Sequence, residues 1–399
     1  MPCSAARRFS MLFALTGSLA TAMVATLVPG SAAAQSDVHK SALHSFKVVT
    51  VAEGLVNPWS MAWLPNGDML VTERPGRLRI VRGGKLLPEP VAGVPAVRVV
   101  GQGGLQDVVV HPSFADNRLV YLSFAKPNAD GSQGTTAVIR ARLENDRLNN
   151  VEEIFEAFPY SATPGHYGAR MAFDGKGHLF LTSGDRMAPP QGDLTHHAAQ
   201  DLSHHHGKVL RLNEDGTVPN DNPFIGKSGV LPEIWSYGHR NLQGLAFNPT
   251  TGDLWETEHG PQGGDELNFI RPSLNYGWPV ITYGANYGVG TEIGGRAGEG
   301  MEQPAAFWVP SIAPSGLLFY TGDKFPKWQG NLLAGGLSSG YQQLSRIMIE
   351  GSRVTNREPL LQLEMRIRDV RQGPDGYIYI ATDNRLSNPT PIVRLEPVD

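Results

Sequence analysis

Met61-Ala62-Trp63-Leu64-Pro65-Asn66-Gly67-Asp68-Met69-Leu70-Val71 is an apolar triplet, a turn, and a second apolar run. Pro, Asn, Gly and Asp together break the chain direction, and the flanking residues are too few for a helix, so the stretch predicts a β-hairpin. The same phrase returns at Val108-Val109-Val110 with Leu119-Val120-Tyr121, and at Met171-Ala172-Phe173 with Leu179-Phe180-Leu181. It returns again at Leu245-Ala246-Phe247 with Leu254-Trp255, and more weakly from Leu317-Leu318-Phe319 to Leu332-Leu333-Ala334. In the sixth copy Pro374-Asp375-Gly376 precedes Tyr377-Ile378-Tyr379-Ile380. Most copies are followed by an Arg among alternating apolar residues, as in Arg77-Leu78-Arg79-Ile80, Val138-Ile139-Arg140, Val209-Leu210-Arg211-Leu212, Ser345-Arg346-Ile347 and Val393-Arg394-Leu395. Two hairpins repeated six times predict an all-β chain, a six-bladed propeller of four-stranded antiparallel blades. Phe46 to Val51 has no blade of its own and is expected to join the last one, closing the ring. A double-sheet sandwich would not account for the repeat. Leu148, Val151, Ile154, Phe155 and Phe158 also fit a helical stripe, and only their place in the repeat favours a strand.

Working outward, the composition agrees. The 399 residues include 46 Gly and 30 Pro, about a fifth of the chain, which leaves little room for long helices. Hydrophobic residues make up 41% and charged residues 18%, enough to bury a large core. A net charge of −4 offers no basic surplus for nucleic acid. Arg7 and Arg8, an apolar run from Phe9 to Val28 and Ser31-Ala32-Ala33-Ala34 read as an export signal cleaved near Ala34, with a membrane anchor as the alternative. The expected organisation is therefore a leader over 1–34, a linker over 35–45 and the propeller over 46–399. Cleavage removes Cys3, the only cysteine, so the mature chain has no disulfide or thiolate chemistry. No later stretch is apolar enough to span a bilayer, and the mature protein is expected in the periplasm or outside the cell.

The connections between strands carry the chemistry. Gly165-His166-Tyr167-Gly168 precedes the third triplet, and Asp185 follows its partner strand, so the hairpin brings His166 and Asp185 to one face. A carboxylate holding an imidazole is what a general base needs, and a structural turn histidine is the plain alternative. Gly238-His239-Arg240-Asn241-Leu242-Gln243 can gather Arg, Asn and Gln on a polar, anionic ligand. Glu258-His259-Gly260-Pro261 with Asp265-Glu266 puts kinked carbonyls beside acids, which suits a hard cation such as calcium; a solvated acidic turn is the alternative. Arg366 and Arg368 share one face of a strand and suit a ligand with several carboxylates; a surface-exposed pair is the plain alternative. His196, His197, His204, His205 and His206 match no zinc spacing and read as a solvated loop.

Taken in order, these segments resemble the soluble quinoprotein sugar dehydrogenases, and among them the periplasmic aldose sugar dehydrogenases that use pyrroloquinoline quinone (PQQ) and calcium. The resemblance runs from about Val48 to the C-terminus and rests also on Gly101-Gln102-Gly103-Gly104-Leu105 and Asn275-Tyr276-Gly277-Trp278-Pro279. It implies that His166 is the base and Asp185 its orienter. It implies quinone contacts at Gln102, Arg240, Asn241, Tyr287, Arg366 and Arg368, with Gln243 lining the same site. The carbonyls of Gly260 and Pro261 would hold the cofactor's calcium, and Glu266 with the Tyr276 carbonyl a further one. One departure stands out: Ser338 occupies the place where the family usually has a lysine paired with a quinone carboxylate. Lys324 and Arg346 are the candidates for a replacement cation. Trp308 is the nearest tryptophan to Pro310-Ser311-Ile312, where some relatives carry one.

The resemblance implies oxidation of an aldose at its anomeric carbon to a lactone, with hydride passing to the quinone and a second carrier, a quinone or cytochrome, taking the electrons onward. A calcium-dependent lactonase and a non-catalytic binding propeller are the alternatives on the same fold.

Overall fold

In the computed structural model the described residues are 38–386 and 388–398; the expected leader and its cleavage site lie outside them. Within the expected linker, β1 (Val38–Lys40) pairs antiparallel with β2 (Ser45–Val56). Blade 1 holds β3 (Pro58–Trp63), β4 (Met69–Glu73), β5 (Arg77–Arg82) and β6 (Lys85–Leu86). Blade 2 holds β7 (Leu105–Val110), β8 (Leu119–Pro127), β9 (Gly134–Glu144) and β10 (Arg147–Glu156). Blade 3 holds β11 (Gly168–Phe173), β12 (His178–Ser183), β13 (Lys208–Asn213) and β14 (Ile234–Tyr237). Blade 4 holds β15 (Leu242–Phe247), β16 (Leu254–Glu258), β17 (Asp265–Ile270) and β18 (Ala306–Trp308). Blade 5 holds β19 (Pro314–Phe319), β20 (Leu332–Gly336), β21 (Gln343–Glu350) and β22 (Arg353–Gln362). Blade 6 runs β23 (Arg366–Gln372), β24 (Ile378–Asp383) and β25 (Pro389–Val398), and β2 then adds to β25 from Ser45↔Val398 to Val56↔Pro389.

Six blades, the N-terminal strand that closes the ring and a strand at Leu148 are as the repeat predicts. Among the described residues, helix is limited to four residues, Phe114–Asn117, and two single turns of 3-10 helix. No helix among them is long and apolar enough to cross a membrane.

Six apolar clusters fill the six gaps between neighbouring blades, because each strand sends alternate side chains to opposite faces. Leu70 packs towards blade 2, while Met69 and Val71 pack towards blade 6. Leu179 and Leu181 face blade 2, whereas Phe180 faces blade 4. Fully burying one such side chain contributes about 1.5–3 kcal/mol, so the stability is spread around the ring.

The innermost strand of each blade meets the second strand in a hairpin whose register is shifted by a bulge. These bulges lie between Pro58 and Ser60, Leu105 and Val108, Gly168 and Met171, Leu242 and Gly244, Pro314 and Leu317, and Ile367 and Asp369. A bulge bends its strand and re-aims a side chain. Here they turn buried polar residues towards the axis. Arg170 of blade 3 reaches Asp369 of the opposite blade at 3.1 Å and Asp107 at 3.3 Å. Arg371 reaches Asp369 at 2.9 Å and Asp107 at 3.3 Å, and Ser60 donates to Asp107 at 2.5 Å.

Candidate active site

Each innermost strand begins where its partner ends, as in Gly168↔Ser183, Leu242↔Glu258 and Arg366↔Asp383, so the residues just outside those pairs share one face of the propeller. His166 and Asp185 flank the first of them. The His166 Nδ1 and Asp185 Oδ1 atoms are 2.6 Å apart. His166 has φ 53°, a left-handed backbone that a non-glycine residue adopts only when its surroundings impose it. Gln102 is one such constraint, since its Oε1 accepts from the His166 N–H at 2.8 Å. Gly168, at φ 67°, is another: a side chain there would meet the Gly184 nitrogen at 2.8 Å.

Asp185 is fixed in turn. Its Oδ2 accepts from Trp278 Nε1 at 2.8 Å, and its Oδ1 accepts from the Met187 N–H at 2.9 Å. Its own N–H donates to the Arg240 carbonyl at 2.8 Å. Burial pushes its pKa up, but the charge and hydrogen bond of His166 prevail and hold it below the usual carboxylate range. Burial lowers the His166 pKa, and Asp185 opposes this only in part. An ionised Asp185 therefore accepts Nδ1–H of a neutral imidazole and leaves Nε2 as the free base.

Beside this pair is a cavity of about 400 Å³. Arg74, Arg366, Arg368 and Arg385 line it with Gln102, Gln243, His259, Trp59 and Asp383. Arg366 pairs with Asp383 at 2.7 Å and donates to the Leu337 carbonyl at 3.1 Å. Arg368 lies 3.7 Å from Asp383 and donates to Gln243 Oε1 at 3.2 Å. Burial, with the repulsion between the two arginines, brings Arg366 down to about 9. Burial likewise brings Arg368 down to about 10, against the pull of Asp383, and both remain charged at neutral pH. Burial also lowers His259 to about 3, so it is neutral.

Next to the cavity the Arg240 guanidinium donates to the carbonyls of His259 at 3.0 Å and Gly260 at 2.6 Å, and lies over the Trp278 ring. Asn241 accepts from Gln243 Nε2 at 3.2 Å. Gly260 has no room for a side chain, since a Cβ would collide with the carbonyl oxygens of Gly263 and Gly264. Behind it Asn268 Nδ2 donates to Glu256 at 2.8 Å, Glu258 at 3.2 Å and Glu266 at 3.1 Å. Burial first, and Glu258 second, push Glu256 and Glu266 well above the usual carboxylate range. Carbonyls crowded beside buried acids form a hard-oxygen donor set.

Of the residues named from the sequence, His166, Asp185, Gln102, Arg240, Asn241, Gln243, Gly260, Arg366 and Arg368 are thus gathered in one region. Pro261 and Tyr276 are buried beside them, and the Tyr276 ring stacks on His239 at 4.7 Å. Tyr287 is 68% exposed and does not line the cavity. Ser338 is not on the wall either; its N–H donates to the Ile312 carbonyl at 3.0 Å, and it is its neighbour Leu337 that lines the cavity. Lys324 sits by Asp323 at 3.6 Å, Arg346 pairs with Glu358, and Trp308 packs in the core between blades 4 and 5, so none of the three reaches the cavity.

The histidine-rich loop differs from expectation. His196 is exposed, but His197, His205 and His206 are buried as structural hydrogen-bond partners. His205 pairs with Glu233 at 2.6 Å, His206 with the Pro159 carbonyl at 3.0 Å and His197 with the Ala188 carbonyl at 3.0 Å. Spacing within the loop carries no trace of these partners, which all lie outside the histidine run, and so it reads as solvated.

Sequence reasoning missed Arg74, Asp383, Arg385, Trp59 and His259 as cavity residues and Trp278 as a partner of Asp185. A signal existed for two of them: Asp383 ends the second strand of its blade as Glu258 does, and Arg74 follows Glu73 at the same place in blade 1.

A family described as Glucose / Sorbosone dehydrogenase matches residues 55–392. The aldose sugar dehydrogenase YliI of Escherichia coli (strain K12) is 45% identical over 343 residues, covering 84% of this chain and 90% of that protein. The crystal structure of the soluble aldose sugar dehydrogenase from Escherichia coli in the apo-form superimposes with a TM-score of 0.82 at 42% identity, covering 88% of this chain and 100% of the other. The PQQ-bound form of aldose sugar dehydrogenase from Streptomyces coelicolor gives 0.71 at 28% identity, covering 88% and 98%.

Proposed function

The chain belongs to the glucose/sorbosone dehydrogenase family, and from that premise we propose that it oxidises aldose sugars at the anomeric carbon to lactones, with PQQ and calcium as cofactors. The observation that carries this reading is the His166–Asp185 pair, 2.6 Å apart, beside a cavity lined by four arginines. The cavity's chemistry fits a planar tricarboxylate: guanidinium groups for the carboxylates, Gln102 and Gln243 for polar edges, and Trp59 as an apolar wall. The carbonyls of Gly260 and Pro261 would hold one calcium, and Glu266 with the Tyr276 carbonyl another. When bound, the quinone supplies the two-electron acceptor and calcium the Lewis acid that polarises it.

The chain's own residues do the rest. Nε2 of His166 takes the proton of the anomeric hydroxyl, and ionised Asp185 stabilises the imidazolium that results. Trp278 and the Met187 N–H keep Asp185 in place. Arg366 and Arg368 anchor carboxylates, while Arg240, Asn241 and Gln102 complete the cofactor contacts. A lactonase would have no use for so many guanidinium groups. The leader read at residues 1–34 supports a periplasmic or secreted location, and the electron acceptor is a quinone or cytochrome.

The test is to incubate purified protein with PQQ and calcium and to follow dye reduction with aldoses. We expect sugar-dependent turnover that chelation abolishes and that calcium plus quinone restores, with zinc a poor substitute for hard-oxygen ligands. Absence of turnover in the reconstituted protein, or full activity in protein stripped of metal, would overturn the reading.

A further inference from the structure

Arg74 stands between β4 and β5 of blade 1, half-buried in the cavity wall, and its backbone is pinned on both sides. Its N–H donates to the Asn57 carbonyl at 3.0 Å, and its carbonyl accepts from the Leu105 N–H at 3.0 Å. Gly104 packs so closely on it that a Cβ there would collide with the Arg74 carbonyl oxygen. The guanidinium donates to the Gly101 carbonyl, next to Gln102. Among the ion pairs of the described residues none includes Arg74 or Arg385, whereas Arg366 and Arg368 share Asp383. Arg74 is close enough that its charge contributes to lowering both of those arginines.

On the cavity wall, four arginines against one aspartate leave three positive charges. The quinone of the proposed reaction carries three carboxylates. Arg366, Arg368 and Asp383 together leave only one net charge for them, so the other two come from Arg74 and Arg385. Arg385 is exposed at the rim, while Arg74 is the half-buried, pinned one.

Resting on the PQQ reading above, we infer that Arg74 is a cofactor-binding residue that pairs with a quinone carboxylate and supplies the charge that Ser338 cannot. Because its backbone is held before the ligand arrives, little ordering opposes the contact.

Calcium-loaded apo-protein titrated with PQQ, followed by tryptophan fluorescence, tests this without turnover. Arg74→Gln should weaken binding by about ten- to a hundred-fold, the loss of one charge-assisted hydrogen bond. Ser338→Lys alone should leave binding unchanged, since its charge is already provided. The trimethyl ester of PQQ, titrated into wild-type protein, should bind far more weakly than the triacid; this measurement needs no variant to fold. Unchanged binding by Arg74→Gln, a large gain from Ser338→Lys, or equal binding of ester and acid would each overturn the assignment. Wild-type protein that does not bind PQQ at all would overturn the PQQ reading itself, a result distinct from the other three.

Discussion

At the scale of single residues, His166 must be neutral to act, and its pKa lies below the ordinary 6.5 because burial outweighs Asp185. Protonation below that pKa removes the base. Activity of the quinone-loaded enzyme should therefore rise with pH through an apparent pKa below 6.5 and stay level through neutral pH, as kcat/KM against pH would reveal. His166→Ala should cost about 10²–10⁴-fold in turnover while PQQ still binds. Normal turnover in that variant would remove the base from His166. The sequence made this pair readable because both residues flank one hairpin. It hid Trp278, whose contact with Asp185 spans two blades, and it hid the replacement for the missing lysine. Lys324 and Arg346 were the candidates and Arg74 was not among them, since nothing in the local sequence says which face of the ring each occupies.

At the scale of elements, the hairpins were legible because apolar alternation and turn residues act locally. The fifth copy looked weak because the connection between β19 and β20 holds a small core of its own. Tyr320, Phe325 and Trp328 are fully buried there, and Phe46 of β2 packs edge-on to Trp328 with centroids 5.7 Å apart. The strand that closes blade 6 is thus also anchored on blade 5. Phe46→Ala should destabilise the protein by roughly 3–5 kcal/mol in urea unfolding, the usual cost of removing a buried aromatic ring. A cost under about 1 kcal/mol would mean that pairing with β25 alone holds the strand.

At the scale of the whole molecule, the charged axis ties opposite blades together. Arg170 is fully buried, lies over the Trp59 ring with its guanidinium 4.2 Å from the centroid, and donates to the Gln243 carbonyl at 2.9 Å. Arg170→Met leaves Asp107 and Asp369 with Arg371 as their remaining guanidinium partner. Removing one member of such a buried network should cost about 3–5 kcal/mol, and urea unfolding would measure it. An unchanged midpoint would mean that Arg371 alone suffices. This axis was not legible in the sequence, because it depends on bulges that bring residues from several blades to the same depth.

The seam between β2 and β25 also has a kinetic meaning. Blades 1 to 5 are each built from a contiguous stretch, so each can form from nearby residues soon after that stretch is available. The sixth must bring Ser45 to Val398, nearly the whole described chain apart in sequence. Contacts of that separation carry the largest loop-closure entropy and form late. Completion of the ring is then one terminal event, timed by the arrival of the last strand, and until it happens the apolar faces of blades 1 and 6 that meet across the seam stay open to water.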